Sequence, residues 1–199
     1  MNRFTRTALN NKSFGFIKNQ YKCISNINIK TKNVRIVEVG VRDGLQNEST
    51  ILAADIKLKL LEMLEDAGVK NIEAGAFVSP KWVPQMATTT DIFSYLQKRG
   101  HGTSEFSALT PNMKGYSSAI DLGVKEVAVF GAASESFSNK NINCSIDESL
   151  NRFKDVCTTA TSQGIKVRGY VSCVLGCPYE GDVDPMRVIE VSQKLLDMG

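Results

Sequence analysis

Histidine, tryptophan and proline are scarce in this sequence. Its 199 residues include one His, one Trp and five Pro. A metal centre built from several histidines of this chain is therefore excluded, and the single His101, which lies between two glycines, is expected in a loop. No apolar run approaches the length of a bilayer span, so we expect no membrane association.

Acidic residues are absent from the first 32 positions, which hold seven of the 24 basic residues. This stretch is also rich in Ser, Thr and Asn, a composition typical of a mitochondrial transit peptide. We predict a transit peptide over residues 1–32 and a folded domain over 33–199; the alternative is a basic tail without a targeting role. Without these residues the formal charge of +3 becomes −4, which argues against a nucleic-acid surface.

Cysteine is present but lacks a metal or redox spacing. The five cysteines are an odd number, and Cys23 lies in the predicted transit peptide. Cys173 and Cys177 are separated by three residues and are therefore not a C-x-x-C pair. We interpret both as structural residues of a loop, kept reduced in a mitochondrial or cytosolic compartment.

Short apolar segments alternate with amphipathic ones over the remainder of the chain. Three predicted helices end at Gly, followed by Val or Ile and then Lys, at 68–70, 123–125 and 164–166. This repeat favours βα units and a parallel sheet. The predicted strands are residues 34–39, 69–74, 105–109, 124–130 and 165–171. Five units do not close an eight-stranded barrel, so the α/β class is predicted with an incomplete barrel, lacking its C-terminal part.

Helix termini are marked by local signals. Ser145 and Glu148 form a capping-box pattern at the start of a long helix, and Asp184 precedes a proline at the start of the last one. A predicted helix over residues 55–67 places Leu on one face and charge on the other, and Gly68 follows it.

Charged residues lie at or just beyond the carboxyl ends of the first two predicted strands. Arg42 and Asp43 come directly after the first, and Glu73 lies near the end of the second. In parallel α/β folds the carboxyl ends of the strands carry the chemistry. A guanidinium suits a carboxylate or enolate oxygen, and a carboxylate suits a divalent metal. The alternatives are a surface Arg–Asp pair beside a turn and a structural acid that is paired in the interior.

Three loops together resemble the hydroxymethylglutaryl-CoA lyase family. They are Val-Arg-Asp-Gly-Leu-Gln-Asn-Glu at 41–48, Ser-Pro-Lys-Trp-Val-Pro-Gln at 79–85 and Gly-Cys-Pro-Tyr-Glu-Gly at 176–181. Residues 130–135 and 141–146 are also similar to that family. The Arg-Asp-Gly alone is shared with other metal-dependent barrels that make or break carbon–carbon bonds, such as isopropylmalate synthases, whereas the other two loops are more specific.

The resemblance implies a (β/α)8 TIM barrel in the mitochondrial matrix. It implies an acyl-CoA substrate, 3-hydroxy-3-methylglutaryl-CoA, cleaved to acetoacetate and acetyl-CoA in leucine degradation and ketone-body formation. The implied cofactor is a divalent cation, Mg²⁺ or Mn²⁺, and a homo-oligomer is compatible with the family.

By the same resemblance, Arg42 is catalytic, Asp43 is a metal ligand, and Arg42, Gln46 and Glu73 bind substrate. The chain departs from the family at residues 74–76, where Ala-Gly-Ala replaces hydroxyl side chains. The family's His-x-His pair and asparagine ligand have no counterpart among these residues, so the isolated chain is expected to be inactive or nearly so. The alternative functions are a catalytically inactive half-barrel, such as a binding or regulatory paralogue, and another enzyme of the wider metal-dependent group.

Overall fold

Four strands alternate with helices along residues 34–100 and 102–199, the part of the chain that the computed structural model describes. The predicted transit peptide and His101 lie outside these residues. The strands are β1 (Asn71–Ala76), β2 (Glu105–Leu109), β3 (Glu126–Ala132) and β4 (Lys166–Ser172). The helices are α1 (Ala54–Asp66), α2 (Thr89–Arg99), α3 (Met113–Asp121), α4 (Glu135–Ile142), α5 (Ile146–Ser162) and α6 (Pro185–Asp197). A π-helical turn spans Gly40–Gly44, and a 3-10 turn spans Pro84–Met86.

The strands form one parallel sheet in the order β1-β2-β3-β4. Helix α2 packs on β1, α5 on β3 and β4, and α6 on β4. Strands that pair with their sequence neighbours through a helical crossover are βα units, so the predicted parallel α/β architecture is confirmed.

The prediction of a first strand over residues 34–39 is wrong within the described residues. Only Glu38 joins the sheet there, as an isolated parallel bridge to Ile72. The Glu38 amide donates to the Asn71 carbonyl at 2.9 Å, and the Glu73 amide donates to the Glu38 carbonyl at 2.8 Å. The chain then leaves the sheet because the π-helical turn begins at Gly40, whose amide is bonded to a Glu38 carboxylate oxygen at 2.6 Å.

Side chains alternate between two apolar layers on opposite sides of the sheet. Val127 and Val129 belong to the larger layer, which packs against the helices, whereas Ala128 and Phe130 belong to the other side, the inner face. The β1–β2 register shifts between Glu73 and Gly75. Such a bulge changes which face the following side chains meet, and bulges are frequent beside active sites.

Helix termini follow the local signals of the sequence. The predicted capping box is confirmed, since the Ser145 hydroxyl accepts from the Glu148 amide while the Glu148 carboxylate accepts from the Ser145 amide. Asp184 caps α6 through the Met186 amide at 2.9 Å. Helix α4 was not predicted, because its polar sequence has little apolar periodicity; its start is marked only by the Ser134 cap.

Strand β4 is less buried than the strands before it. Within the described residues it pairs with β3 alone, and most of its residues are half-buried, while β3 is almost fully buried. None of the described helices combines the length and the apolar character that a membrane crossing requires.

Candidate active site

Arg42 lies on the π-helical turn that follows the Glu38 bridge. The residue is 4% exposed, which is unusual for an arginine. Single π-helical turns are rare and are frequently found at functional sites. The turn therefore brings a permanent cation into the interior immediately after the chain leaves the sheet.

Glu73 is the partner of that cation and is fully buried on β1. Its Oε1 atom accepts from Arg42 Nε at 2.5 Å. Its Oε2 atom accepts from Arg168 Nη2 at 2.5 Å and from the Tyr170 hydroxyl at 2.9 Å. A buried carboxylate needs such charged donors, and here both oxygens are occupied by them.

Arg168 extends the cluster across the inner face of the sheet. Its Nη1 atom donates to Glu126 at 2.5 Å, and its Nη2 atom also lies 3.2 Å from the Ser107 hydroxyl. The contacts thus form a chain of side chains that alternate in charge: Asp43, Arg42, Glu73, Arg168 and Glu126. We call these five residues, together with Tyr170, the interior network.

Tyr170 contacts both arginines of the interior network. The Cζ atoms of Arg42 and Arg168 lie 5.6 and 5.3 Å from the centroid of its ring. Burial and the neighbouring Glu73 carboxylate raise the pKa of the Tyr170 phenol, so the hydroxyl remains a donor to Glu73 at neutral pH.

Asp43 lies on the same turn, and Gln46 follows it two residues after Gly44. The Asp43 side chain is 56% exposed and accepts from Arg42 Nη1 at 2.8 Å. Gln46 is exposed. The structure therefore brings the predicted residues Arg42, Asp43 and Glu73 together in one cluster, with Gln46 three residues beyond Asp43.

Arg168 and Tyr170 are site residues that the sequence reasoning placed on a strand without a role. Two positions apart on β4, they share one face, and a cation on a predicted buried strand needs an acidic partner. That signal was available, but the identity of the partner was not.

A divalent metal is not accommodated by the described residues alone. Across residues 34–100 and 102–199, no three His, Cys, Asp or Glu side chains are grouped to hold an ion. Asp43 offers one exposed carboxylate, which already accepts from Arg42. Mg²⁺ requires six oxygen ligands in an octahedron, so this donor set does not fix one.

One of the three guanidinium nitrogens of Arg42 is unused by the described residues. Its Nε and Nη1 atoms are bonded to Glu73 and Asp43, while Nη2 has no hydrogen-bond partner among the described residues. A guanidinium held at two nitrogens can present the third to a developing negative charge without reorganisation. The arrangement suits stabilisation of an oxyanion.

The loop between β1 and α2 is held to α1 and to the segment before it by buried polar contacts. The Gln85 side chain accepts from the Leu52 amide and donates to the Thr50 carbonyl, each at 2.9 Å. Buried Lys57 donates to the Gln85 carbonyl and to Thr88. Trp82, in the same loop, is 87% exposed.

A parallel sheet of strand–helix units with charged side chains gathered on one face, beside the turn where the chain leaves the sheet, is compatible with a (β/α)-barrel enzyme. The chain belongs to the HMGL-like family, whose model matches residues 33–199. Its fold is accordingly that of a TIM barrel, of which the described residues form a part.

Known proteins similar to the chain are hydroxymethylglutaryl-CoA lyases. The mitochondrial enzyme of Bos taurus is 55% identical over 175 residues, 88% of this chain and 53% of that protein. The crystal structure of the Pseudomonas aeruginosa lyase is 54% identical with a TM-score of 0.78, covering 84% of this chain and 55% of the other.

A third similar protein was solved with bound ligands. It is an HMG-CoA lyase from Acinetobacter baumannii in complex with coenzyme A and 3-methylmalate, 29% identical with a TM-score of 0.76 over 82% of this chain and 52% of that one. The chain thus spans about half the length of the relatives that it matches.

Proposed function

We propose that the protein is a carbon–carbon lyase acting on 3-hydroxy-3-methylglutaryl-CoA, with acetoacetate and acetyl-CoA as products. The observation that carries this proposal is the buried Arg42 guanidinium, oriented by Glu73 and Asp43 and left with its Nη2 atom unused by the described residues. Membership of the HMGL-like family and the lyases among its relatives support the same reaction.

The reaction breaks a bond between two carbons and leaves negative charge on a thioester. A base removes the proton of the tertiary hydroxyl, that oxygen becomes the ketone of acetoacetate, and the bonding electrons pass to the acetyl-CoA fragment as an enolate, which is then protonated. Arg42 Nη2 would donate to the enolate oxygen. This interaction strengthens as the charge develops, so it lowers the barrier more than it strengthens substrate binding.

We infer that a divalent cation, Mg²⁺ or Mn²⁺, is required and that Asp43 is one of its ligands. Asp43 supports this role because its carboxylate is exposed beside Arg42. The other protein ligands would have to come from outside the described residues, since these contain no suitable group. We therefore expect essentially no turnover by residues 34–199 alone.

Substrate contacts are proposed for Arg42 and Gln46. Buried Glu73 would contribute to substrate binding through its hydrogen bond with Arg42. The acyl-CoA class of substrate is supported by the relative solved with coenzyme A. The mitochondrial relatives and the basic, acid-free N-terminal stretch support a matrix location, where the reaction would serve leucine degradation and ketone-body formation. A homo-oligomer is compatible with this proposal.

A second candidate is a non-catalytic chain that binds an acyl-CoA or a related protein. It is favoured by one observation, the lack of a metal-ligand group among the described residues. In this second candidate, Arg42 would still bind the ligand, but no bond would be cleaved.

Calorimetric titration of purified residues 33–199 with 3-hydroxy-3-methylglutaryl-CoA tests the proposed substrate. We expect saturable binding that weakens about tenfold or more in Arg42→Gln, because a charged hydrogen bond is lost. The matched control is Arg99→Gln, which removes an arginine paired with Glu65 on the other side of the sheet and should leave the affinity unchanged. Absence of binding, or equal binding by Arg42→Gln, would contradict the proposal.

A further inference from the structure

Both oxygens of Glu73 are used inside the protein, although the residue matches a substrate-lining position of the family. Glu73 is fully buried, and three donors from two different parts of the chain converge on it. A carboxylate in this state has little left to offer a ligand. Its remaining function is to hold the groups that bind it.

Arg168 and Tyr170 bind the oxygen of Glu73 that Arg42 does not. They occupy Oε2, which leaves Oε1 to Arg42 Nε alone. Since the carboxylate is planar, fixing Oε2 also fixes the direction in which Oε1 accepts. The guanidinium plane of Arg42, and with it Nη2, is then set from the opposite end of the carboxylate.

Arg168 is itself anchored at a second point. Its Nη1 atom pairs with Glu126 at 2.5 Å, at the first residue of β3. The anchor is carried by two paired strands in continuous register, and rigid elements position side chains more accurately than loops do. Tyr170 adds its ring against both guanidiniums, so lateral movement of either arginine is restricted.

We propose that Arg168 and Tyr170 are positioning residues that act through Glu73 to present Arg42 Nη2 to the substrate's developing oxyanion. This proposal rests on the proposed function for its chemical consequence. The geometric part, that Tyr170 and Arg168 immobilise Arg42, stands on the described residues alone. Neither residue would touch substrate.

Binding measured in a double-mutant cycle tests whether the two residues act through Arg42. We expect Tyr170→Phe and Arg168→Met each to weaken 3-hydroxy-3-methylglutaryl-CoA binding about five- to tenfold, with partial recovery in Arg168→Lys. In an Arg42→Gln background the same substitutions should have no further effect. An additive loss in that background would overturn the proposal.

Matched controls distinguish positioning from general destabilisation. Tyr116 also donates its hydroxyl to one side chain, Gln163 at 2.6 Å, and Arg99 also pairs with a glutamate beneath an aromatic ring. Tyr116→Phe and Arg99→Met should leave binding unchanged. If they weaken it as much as the site variants do, the effect is structural and the proposal fails.

Hydrogen exchange of the Arg42 Nε–H group provides a readout that needs no ligand. Its NMR signal is assigned by its loss in Arg42→Lys. We expect Tyr170→Phe to accelerate exchange about five- to tenfold and Tyr116→Phe to leave it unchanged. Unchanged exchange in Tyr170→Phe would overturn the positioning role even if substrate binds. Failure of wild-type binding would count against the proposed function alone.

Discussion

Two arginine–glutamate pairs of this molecule have similar chemistry and different surroundings. Arg168 pairs with Glu73 on the inner face, and Arg99 pairs with Glu65 between α1 and α2; both distances are close to 2.5 Å. The arginine side chains are 21% and 26% exposed, and each lies about 5.5 Å from an aromatic ring centroid.

The glutamates distinguish the two pairs. Glu73 satisfies both oxygens with donors from the π-helical turn and β4, whereas Glu65 Oε1 is buried without a partner among the described residues. The outer pair joins two neighbouring helices, and the inner pair joins the two ends of the sheet. The distance within an ion pair and its exposure therefore do not distinguish the candidate active site from an ordinary surface pair. The two pairs differ in the number of structural elements that converge on one carboxylate.

Removing the charge of Glu73 should have the largest effect. Glu73→Gln leaves buried Arg42 and half-buried Arg168 without their shared anion, and we expect a loss of about 3–5 kcal/mol in the free energy of unfolding. Glu65→Gln should cost less, about 1–2 kcal/mol, because it leaves one arginine, Arg99, without its anion instead of two. Urea unfolding of both variants measures this. Similar losses would remove the distinction between the pairs.

Tyr170, which is half-buried, and Tyr116, which is buried, sharpen the comparison by the groups that accept their hydroxyl hydrogen bonds. Tyr170 donates to a carboxylate and Tyr116 to an amide oxygen. We expect Tyr170→Phe to cost about 1.5–3 kcal/mol of unfolding free energy and Tyr116→Phe about 0.5–1.5 kcal/mol, because bonds to charged groups are stronger. Urea midpoints at constant slope give both values, and a larger loss for Tyr116→Phe would contradict the interior network's importance.

Gly75 tests how closely α2 approaches the bulged strand behind Glu73. A Cβ atom there would lie 2.7 Å from the Thr89 hydroxyl, which also accepts from the Ala76 amide. Gly75→Ala should therefore destabilise the fold by about 1–3 kcal/mol through overpacking. Gly44→Ala is the control, since nothing lies within 4 Å of its added methyl. Thermal unfolding of both variants tests whether α2 is closely packed against β1 at Gly75.

Raising the pH should lower the stability of the fold gradually and by a smaller amount, because the pKa of Tyr170 is raised in the folded state. The phenol ionises in the unfolded chain near its ordinary pKa of 10.0, before it ionises in the folded state. The unfolded state then binds fewer protons, so stability is complete below about pH 10 and falls as the pH rises above it. Urea midpoints between pH 9 and 11 should fall less steeply in Tyr170→Phe than in wild type. Equal slopes would contradict this assignment.

Much of the fold follows from local signals in the sequence. The glycine that follows each of α1, α3 and α5 adopts a positive φ, as the repeated Gly pattern predicts for helix ends. Ser145 and Asp184 cap their helices as predicted. These features depend on neighbours within four residues, which a single sequence contains. The prediction of the first strand failed because an apolar run does not show whether a segment pairs with a neighbouring strand.

The candidate site was predictable only in part. Arg42 and Asp43 are adjacent in the sequence, so their association with a strand end could be predicted. The convergence of Arg168 on Glu73 joins residues 95 positions apart and requires the registers of four strands and the bulge near Gly75. No local pattern encodes those registers.

The central claim is that the described residues hold the cation of a lyase site, Arg42, without a complete set of metal ligands. Acetoacetate formation from 3-hydroxy-3-methylglutaryl-CoA by purified residues 33–199, with Mg²⁺ or Mn²⁺, tests it most directly. The account predicts essentially no product, together with Arg42-dependent binding of the substrate. Sustained acetoacetate release that disappears in Arg42→Gln would contradict it, because the metal ligands would then be present in this chain or in a second copy of it.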